Sequence, residues 1–345
     1  MVTDESTRRR PTLDEVAERA GVSRTAASRV LNNAPHVSRD KREAVQRAIR
    51  ELGYVPNPTA RALATQQAGA VALIVSGDDP AIFADPFFGQ VVVGATTVLE
   101  ETDLHLVLCL ATSARGQLRV QQLLHTRAVD GVMLMALREG DPLTRLALDA
   151  RLPAVFGGRP AGQDVPSFVD VDNVGGARTA TEHLISLGRT RISMITGPPD
   201  TDVSLSRHRG YREALTLAGL TPHGEQAGDF TERSGITAMN SLLTRHPDID
   251  AVFAANDNMA AGALRALHRA GRAVPGDVAV VGFDDLPVAE MSDPPLTTIH
   301  QPIQALGREM TRMLLSLIAG EEPSPLILPT RLVRRESTRW TGQES

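Results

Sequence analysis

Apolar residues in the first fifty positions recur at the spacing of amphipathic helices. The pattern predicts two short helices, each with one apolar face, at Leu13, Val16, Ala17 and Ala20 and at Ala26, Ala27, Val30 and Leu31. A third helix is predicted over Arg39–Leu52, with its buried stripe at Ala44, Val45, Ala48, Ile49 and Leu52. Three helices this close together predict a small bundle, a head that folds on its own.

The residues between these helices favour turns and caps. Gly21 supplies the positive φ of a tight turn, after which Val22 packs back toward the core. Ser23 is predicted to cap the second helix and Ser38 the third, because a serine hydroxyl accepts hydrogen bonds from the free amides of a first turn. Gly53 is predicted to end the third helix.

Polar residues at the start of the second helix indicate a contact with nucleic acid. Arg24, Thr25, Ser28 and Arg29 project from its exposed or amino-terminal side. A helix pair that presents arginines and hydroxyls in this way suits the major groove of DNA. A structural helical hairpin with a solvated charged face is the alternative interpretation of the same pattern.

A fourth, shorter helix is predicted after the bundle, with Asn57 as its cap and Pro58 at its first position. It is far below the ~12–15 residues that give marginal stability alone, so we expect it to order only when something packs against it. Its apolar residues Ala60 and Leu63 favour a binding role. The alternative is a plain linker whose leucine packs on the neighbouring domain.

From residue 70 onward, apolar strands alternate with helices. A first series of strands is predicted at Ala70–Val75, Leu104–Leu110, Gly131–Ala136 and Pro153–Phe156, and a second at Phe168–Val171, Arg191–Ile195, Gln226–Asp229, Ala251–Ala254 and Val278–Gly282. The helices between them are predicted near Phe88–Glu101, Gln117–Arg127, Pro142–Ala150, Gly176–Leu187, Arg207–Ala218, Ser234–Arg245 and Met259–Ala270. The alternation predicts an α/β fold of two lobes, each a doubly wound parallel sheet, with a cleft between them.

Polar segments follow several of these strands, where open parallel sheets bind their ligands. They are Asp85–Phe88, Phe156–Arg159, Asp170–Asn173, Asn256–Asn258 and Phe283–Asp285. Arg207 opens a helix and can point inward. Asp172 and Asp257 have an alternative role as helix caps, whereas Asp284 directly follows an apolar strand and is the stronger ligand candidate.

The amino-acid composition indicates a globular protein without a membrane-spanning segment. The 345 residues are 42% hydrophobic and 22% charged, which is typical of a globular protein. No run approaches the ~20 apolar residues of a membrane span, and no apolar segment follows the first arginines, so a cytoplasmic protein is expected. The single cysteine, Cys109, excludes an internal disulfide and is expected to be a buried strand residue.

The net charge of −5 conceals an asymmetry between the two ends of the chain. Residues 1–63 carry 12 basic and 8 acidic side chains, whereas the remaining residues carry 24 basic and 33 acidic ones. A basic head on an acidic body indicates that nucleic acid binds at one end only.

Motifs for catalysis are missing from the sequence. It contains no GxxxxGK[ST] phosphate loop, no GxGxxG after a strand, no HExxH and no GxSxG. The nine histidines show no metal-ligand spacing, and structural or surface roles are expected for His105 and His183. We therefore expect that the protein is not an enzyme and binds neither a cofactor nor a metal. The expected architecture is a ligand-binding body with a DNA-binding head.

The chain resembles the lactose repressor (LacI/GalR) family of bacterial transcription regulators from Pro11 to about Arg335. The most specific stretches are TLDEVAERAGVSRTAASRVLNN and VSRDKREAVQRAIRELGYVPNPTARAL. Further similar blocks, in the same order as in the family, are DNVGGARTATEHLISLG, RISMITGP, SRHRGYREAL, AANDNMAAGALRAL, DVAVVGFDD and PPLTTIHQP.

The resemblance implies a homodimer whose paired heads occupy successive major grooves of a palindromic operator. In that arrangement Arg24, Thr25 and Arg29 touch base edges, Ser28 reaches phosphate, and Leu63 of the hinge helix Asn57–Ala64 wedges into a central step of the minor groove. The implied DNA-binding set is Thr12, Ser23, Arg24, Thr25, Ser28, Arg29, Asn32, Ser38, Asn57, Ala60 and Leu63.

The resemblance also implies an effector site like that of periplasmic sugar-binding proteins, for a sugar or related polar metabolite. Phe88 packs against the ligand in this picture, while Arg207, Asn256 and Asp284 hydrogen-bond it. The implied effector-binding set is Phe88, Arg159, Arg207, Asn256, Asp257 and Asp284. Effector binding changes the orientation of the lobes and thereby the operator affinity. The coupling is reciprocal, so an effector that lowers operator affinity also binds less well to the DNA complex.

The sequence departs from the family pattern in two places, and its final segment bears on the oligomeric state. Gly158 stands where many members have an acid before Arg159, which weakens the case for an ordinary hexose. Residues 65–67 replace an arginine-containing tail after the hinge, so fewer DNA-backbone contacts are expected there. The final segment lacks a leucine heptad, which favours a dimer over a tetramer.

The sequence thus predicts a head over residues 1–56, a hinge over 57–67 and a core over 68–345. Within the core, one lobe is expected to take about 68–169 plus 300–329, and the other about 170–299 plus 330–345. The leading hypothesis is a repressor whose operator affinity a small molecule controls; it would be cytoplasmic and associated with the nucleoid when bound. The alternative is a cytoplasmic solute-binding protein with a vestigial DNA-binding head.

Overall fold

The computed structural model describes residues 11–31, 37–54, 67–77 and 85–339. The chain divides into two compact units, Met1–Gly69 and Ala70–Ser345. The predicted hinge helix, and with it Asn57, Ala60 and Leu63, lies outside the described residues, as does Asn32.

The first unit contains the predicted three-helix bundle. Its helices are α1 (Leu13–Ala20), α2 (Arg24–Leu31) and α3 (Arg39–Leu52). Their apolar faces meet in one small core of buried residues, formed by Val16, Ala17, Ala27, Val30, Val45 and Ala48. The predicted amphipathic pattern of the head is therefore confirmed.

Three of the four predicted turn and cap residues of the bundle are confirmed. Gly21 and Gly53 have the left-handed φ values of 65° and 62° that end α1 and α3. The Ser23 hydroxyl accepts from the amide of Ala26 at 3.2 Å, as predicted. Ser38, in contrast, makes no side-chain capping hydrogen bond within the described part of the head, so that prediction is wrong.

The first sheet of the second unit is parallel, in the order β11-β5-β4-β3-β1-β2. Its strands are β1 (Ala70–Ser76), β2 (His105–Ala111), β3 (Gly131–Met135), β4 (Ala154–Gly157), β5 (Phe168–Val171) and β11 (Leu326–Leu328). The helices of this lobe are α4 (Pro86–Leu99), α5 (Ala114–His125), α6 (Pro142–Asp149) and α12 (Ile303–Ile318).

The second sheet has the order β12-β10-β9-β8-β6-β7. Its strands are β6 (Ile192–Thr196), β7 (Gly224–Ala227), β8 (Ala251–Ala254), β9 (Ala279–Asp284), β10 (Thr297–His300) and β12 (Arg331–Val333), the last of which is antiparallel to β10. The helices of this lobe are α7 (Asn173–Ser186), α8 (Asp202–Leu217), α9 (Glu232–Arg245), α10 (Asp257–Arg269) and α11 (Pro287–Met291).

The prediction that β5 begins the second series of strands is wrong. Phe168 in β5 pairs with Phe156 in β4, and Leu326 in β11 pairs with Val169, so β5 belongs to the first sheet. The chain therefore first enters the second lobe at α7, returns to the first lobe at α12 and enters the second lobe again between β11 and β12. Helix α12 is amphipathic and, like α11, β10, β11 and β12, was not predicted from the sequence.

Helix α12 is fixed against α4 by two glycines. A methyl group on Gly94 would lie 2.1 Å from the carbonyl oxygen of Gln304, and one on Gly307 would lie 2.2 Å from that of Val91. The two helix backbones therefore touch directly. This packing holds α4, and with it Phe88 near its first turn, at the end of the sheet where β1 stops.

Strand β2 forms an edge of the first sheet and is less buried than expected. Its neighbour β1 is buried from Val71 to Ser76, whereas Leu108 and Leu110 of β2 are 47% and 42% exposed. Cys109 is accordingly half-buried rather than buried, which corrects the prediction for it. Across the described ranges, no helix is both long and apolar enough to cross a bilayer.

Candidate effector cleft and DNA-binding face

A cavity of about 740 Å³ lies between the two lobes of the core, at the carboxyl ends of their parallel strands. The sequence placed its candidate ligand groups at those ends. The structure brings five of the six predicted effector residues to the wall of this cavity, namely Phe88, Arg159, Arg207, Asn256 and Asp284.

Arg207 and Asp284 form a buried ion pair in the cavity wall, at 3.2 Å from Nη1 to Oδ1. Arg207 also donates from Nε to the side-chain oxygen of Asn173 at 2.9 Å and from Nη1 to the carbonyl of Ala255. Its guanidinium lies 3.6 Å from the ring centroid of Phe283. These contacts fix the guanidinium in place, as a binding site for an oriented polar ligand requires.

Asp284 occupies an unusual backbone conformation at the end of β9, with a φ of 107°. Gln301 donates to its Oδ1 at 2.6 Å. Burial raises the pKa of Asp284 to about 7, against the lowering effect of Arg207 and with a further rise from Asp85. Backbone strain and a shifted pKa are both typical of functional sites.

Asn256 is held by hydrogen bonds at both ends of its amide. Its oxygen accepts from the amide of Met259 at 2.9 Å and thereby caps α10, and its Nδ2 donates to the carbonyl of Phe230 at 2.9 Å. Phe230, with a left-handed φ of 69°, also lines the cavity. Phe230 was not predicted from the sequence, because a lone aromatic residue after a short strand carries no distinguishing pattern.

Asp85 and Asn258 connect the lobes across the cavity. Asp85 caps α4 by accepting from the amide of Phe87 at 3.0 Å, and Asn258 of the other lobe donates to its second oxygen at 3.3 Å. Burial raises the pKa of Asp85. The rings of Phe87 and Phe88 pack edge to face, 5.2 Å apart, beside this connection.

A second connection is made by Arg138 and Asp200. Nη1 of Arg138 lies 2.9 Å and 3.2 Å from the two carboxylate oxygens of Asp200, and the amide of Glu139 donates to the Asp200 carbonyl at 2.7 Å. Asn173, in the polar segment predicted after β5, lines the cavity as expected, whereas the cavity-lining residues Arg138, Asp202 and Gln301 were not predicted from the sequence. They follow strands or begin helices on different lobes, so only the tertiary structure brings them together.

Asp257 does not belong to the cavity, and its predicted contact with the effector is wrong. It is buried, accepting from Thr298 Oγ1 at 2.6 Å and from the amide of Leu286 at 2.8 Å, and it is absent from the described residues that line the wall. Burial and the nearby Asp284 raise its pKa well above the ordinary range. The alternative cap role is wrong too, because Asn256 caps α10, whereas Asp172 does cap α7 through the amide of Gly175 at 2.8 Å.

In the head, the predicted DNA-contacting side chains lie on an accessible face. Arg24, Thr25 and Arg29 are exposed along α2, and Ser28 is half-buried. Arg24 lies 3.5 Å from Asp14, a solvent-exposed ion pair that costs little to break. Thr12 serves in a capping box with Glu15 at the start of α1.

Comparison with known proteins identifies both units. Residues 12–57 match the family model described as bacterial regulatory proteins of the lacI family, and residues 181–338 match the periplasmic binding protein-like domain. The HTH-type transcriptional regulator CelR of Thermobifida fusca is 48% identical over 336 residues, which are 96% of this chain and 99% of that protein.

Solved structures give the same relationship. A CelR–cellobiose complex is similar at a TM-score of 0.76 and 46% identity, covering 95% of this chain and 100% of that one. The Lac repressor dimer bound to operator and the anti-inducer ONPF is similar at a TM-score of 0.85 and 29% identity, covering 96% and 100%.

These relatives are transcription regulators and not enzymes, in agreement with the missing catalytic motifs of the sequence. The matches extend over nearly the whole chain and include both the helical head and the two-lobed core. The chain therefore belongs to the LacI family of bacterial transcription regulators.

Proposed function

We propose that this protein is a transcriptional repressor whose operator affinity is controlled by cellobiose, or a closely related β-linked glucose oligomer, bound between the lobes. The observation that carries the proposal is the buried pair of Arg207 and Asp284 in the wall of a cavity with aromatic side chains. The similarity to CelR, one structure of which holds cellobiose, supports the choice of sugar.

The charges around the cavity favour a neutral ligand over a sugar phosphate. Three arginines face or border it, but Arg207 is paired with Asp284 and Arg138 with Asp200. The third, Arg159, lies in the electrostatic field of the buried Asp170. A phosphate would have to compete with these carboxylates, whereas sugar hydroxyls can donate to the carboxylates and accept from the arginines.

The size and the aromatic wall of the cavity also suit an oligosaccharide. Its volume of about 740 Å³ lies in the upper part of the ~300–1,000 Å³ range of ligand pockets. Phe88 on the first lobe and Phe230 on the second line the cavity, and aromatic side chains suit the apolar C–H surfaces of pyranose rings. We propose Phe88, Arg159, Arg207, Asn256 and Asp284 as effector contacts.

For the DNA-binding end, we propose a homodimer that places its two α2 helices in successive major grooves of a palindromic operator. Arg24, Thr25 and Arg29 are proposed to contact base edges. Thr12, Ser23, Ser28 and Ser38 are proposed to contact the phosphate backbone. The protein is proposed to act in the bacterial cytoplasm, associated with the nucleoid when it is bound to its operator.

The proposal is tested by selecting an operator from random duplexes with the full-length protein and measuring its affinity by fluorescence anisotropy at fixed salt. Cellobiose should change the operator affinity, while cellobiose 6-phosphate should have a much weaker effect. An equal response to both sugars would contradict the neutral-ligand argument. Failure to prefer any palindrome over random DNA would instead favour the solute-binding alternative.

A further inference from the structure

The turn that carries Asp284 contains two successive aspartates in a backbone conformation that residues other than glycine seldom adopt. Asp284 has a φ of 107°, and Asp285, which directly follows β9, has a φ of 61°. Residues in such conformations are strained and persist only where the surrounding structure holds them. The turn after β9 therefore needs contacts that fix it in place.

The side chain of Asp285 lies between a histidine and an arginine. Nδ1 of His300 is 3.0 Å from its Oδ2, and Nη2 of Arg335 donates to its Oδ1 at 2.8 Å. Arg335 is itself held, because its Nη1 donates to the carbonyl of Leu296 at 3.0 Å and its Nη2 lies 3.1 Å from Glu290. The side chains of Asp285 and Arg335 are each only 14% exposed, so their charge-assisted hydrogen bond is largely removed from solvent. His300, Asp285 and Arg335 together form the Asp285 clamp.

Consecutive residues at the ends of β9 and β10 contact each other in two pairs. Gln301 donates to Asp284 at 2.6 Å, and His300, the residue before it, contacts Asp285. His300 ends β10, after which the chain returns to the first lobe and begins α12. The turn is thereby fixed at two consecutive positions to the segment that crosses between the lobes.

Asp284 and the Asp285 clamp have different surroundings. Asp284 lines the cavity beside Arg207, whereas the three clamp residues are absent from the described residues that form the cavity wall. The clamp therefore acts on a ligand through Asp284 and not by touching the ligand.

We infer that Asp285 is a positioning residue for the effector site: held by His300 and Arg335, it fixes the turn after β9 so that the carboxylate of Asp284 stays oriented toward Arg207 and the ligand. The inference rests on the proposed function. Loss of the clamp leaves Asp284 present but misaligned, and so weakens the hydrogen bonds that it makes to sugar hydroxyls.

Two variants of Asp285 and one matched control test the role of the clamp. Asp285→Gly removes the side chain but accepts a φ of 61°, so it introduces no backbone strain. Asp285→Asn tolerates the same φ and keeps an oxygen that can accept from Arg335. The control is Asp248→Gly, because the carboxylate of Asp248 also lies between a histidine and an arginine, 2.9 Å from His223 and 3.7 Å from Arg191. Asp248 is on the same lobe and is absent from the described residues of the cavity wall.

Calorimetric titration of the full-length protein with cellobiose should show a loss of affinity of about tenfold in Asp285→Gly and of less than about threefold in Asp285→Asn. Asp248→Gly should leave the affinity unchanged. When Asp285→Gly is introduced into Asp284→Asn, its further loss should shrink to about twofold, because the turn then positions a group without charge.

Unchanged cellobiose affinity in Asp285→Gly would overturn the inference. A loss in Asp285→Asn as large as that in Asp285→Gly would also overturn it, since the contact with Arg335 would then not matter. Equal losses from Asp285→Gly with and without Asp284→Asn would do the same, because Asp285 would then act independently of Asp284.

If the unmodified protein binds no cellobiose, the proposed function fails, and urea unfolding without ligand still tests the inference. The losses in free energy of unfolding caused by Asp285→Gly and Asp284→Asn should then be non-additive, because the clamp and the carboxylate that it positions act as a unit. Additive losses would overturn the inference.

Discussion

Arg207 of α8 and Asp284 of β9 form an ion pair whose side chains are only 4% and 6% exposed. Because a buried charge is costly unless it is paired, Arg207 stabilises the ionised form of Asp284 against the burial that raises its pKa. The pair lies where the carboxyl end of β9 meets the face of α8 that is turned to the cavity. A polar ligand entering the cavity therefore meets an oriented donor and an oriented acceptor.

Asp284→Asn is expected to abolish the effector response while leaving operator affinity of the ligand-free protein near normal. Loss of charge-assisted hydrogen bonds should weaken cellobiose binding by about 30- to 100-fold, or ~2–3 kcal/mol. Titration calorimetry measures the affinity for cellobiose, and fluorescence anisotropy measures the affinity for the operator. Asp149→Asn, on the exposed end of α6, is the control. Unchanged sugar affinity in Asp284→Asn would remove Asp284 from the site.

Effector affinity should depend on pH through the same carboxyl group. Because burial raises the pKa of Asp284 to about 7, the group becomes protonated as the pH falls through neutrality and loses its capacity to accept two hydroxyl hydrogen bonds as an anion. Cellobiose should therefore bind more weakly at pH 6 than at pH 8. The Asp284→Asn variant should show a flat profile, and a profile as steep as that of the unmodified protein would assign the effect elsewhere.

The raised pKa of Asp284 acts on protein stability in the opposite direction: as the pH rises, effector affinity increases but stability decreases. The pKa of Asp284 is raised above its ordinary value of 3.8, so between about pH 4 and pH 7 the native state keeps a proton that the unfolded chain has lost. The contribution of this group to the free energy of unfolding must then fall as the pH rises through that window and level off above it. Urea unfolding of the protein and of Asp284→Asn, compared at pH 5 and pH 8, measures this contribution.

Arg138→Ala is expected to weaken effector binding slightly by removing one connection between the lobes. Both partners of the Arg138–Asp200 pair are more than a third exposed, so we expect an effect of only ~0.2–1 kcal/mol, which is about 1.4- to fivefold in affinity. The matched control is Arg145→Ala, which removes the pair with Asp149 within α6. If both variants bind cellobiose alike, the connection does not stabilise the ligand-bound form.

Arg29→Ala should relax the base preference of the head. Arg29 is exposed on α2, and an arginine that contacts a base edge contributes ~1–3 kcal/mol of discrimination against the wrong base. Affinities for the selected operator and for single-base variants are compared at one salt concentration. Arg50→Ala on α3 removes the same charge and serves as control. A loss that is uniform across all DNA sequences would assign Arg29 to the phosphate backbone.

Much of the head follows from local sequence. The apolar spacing of α1, α2 and α3, the glycines at 21 and 53 and the cap at Ser23 each act within a few residues, so the pattern alone predicts them. The core strands β1 to β9 were found for the same reason, whereas β10, β11 and β12 were missed. Parallel strands place their carboxyl ends at one edge of a sheet, which is why Asn256 and Asp284 could be expected to meet, whereas Arg207 was expected beside them from the family resemblance.

The tertiary structure decided what depends on partners distant in sequence. β5 lies in the first sheet because it pairs with β4 and β11, and the second pairing spans more than 150 residues. Asp257 is buried, and its carboxylate accepts hydrogen bonds from Thr298 and from the amide of Leu286. The neighbouring residue Asn256 caps α10 instead. Periodicity reports which face of an element is apolar, but not which element will cover that face. The burial of Asp284 and the position of Phe230 in the cavity wall therefore follow only from the tertiary packing.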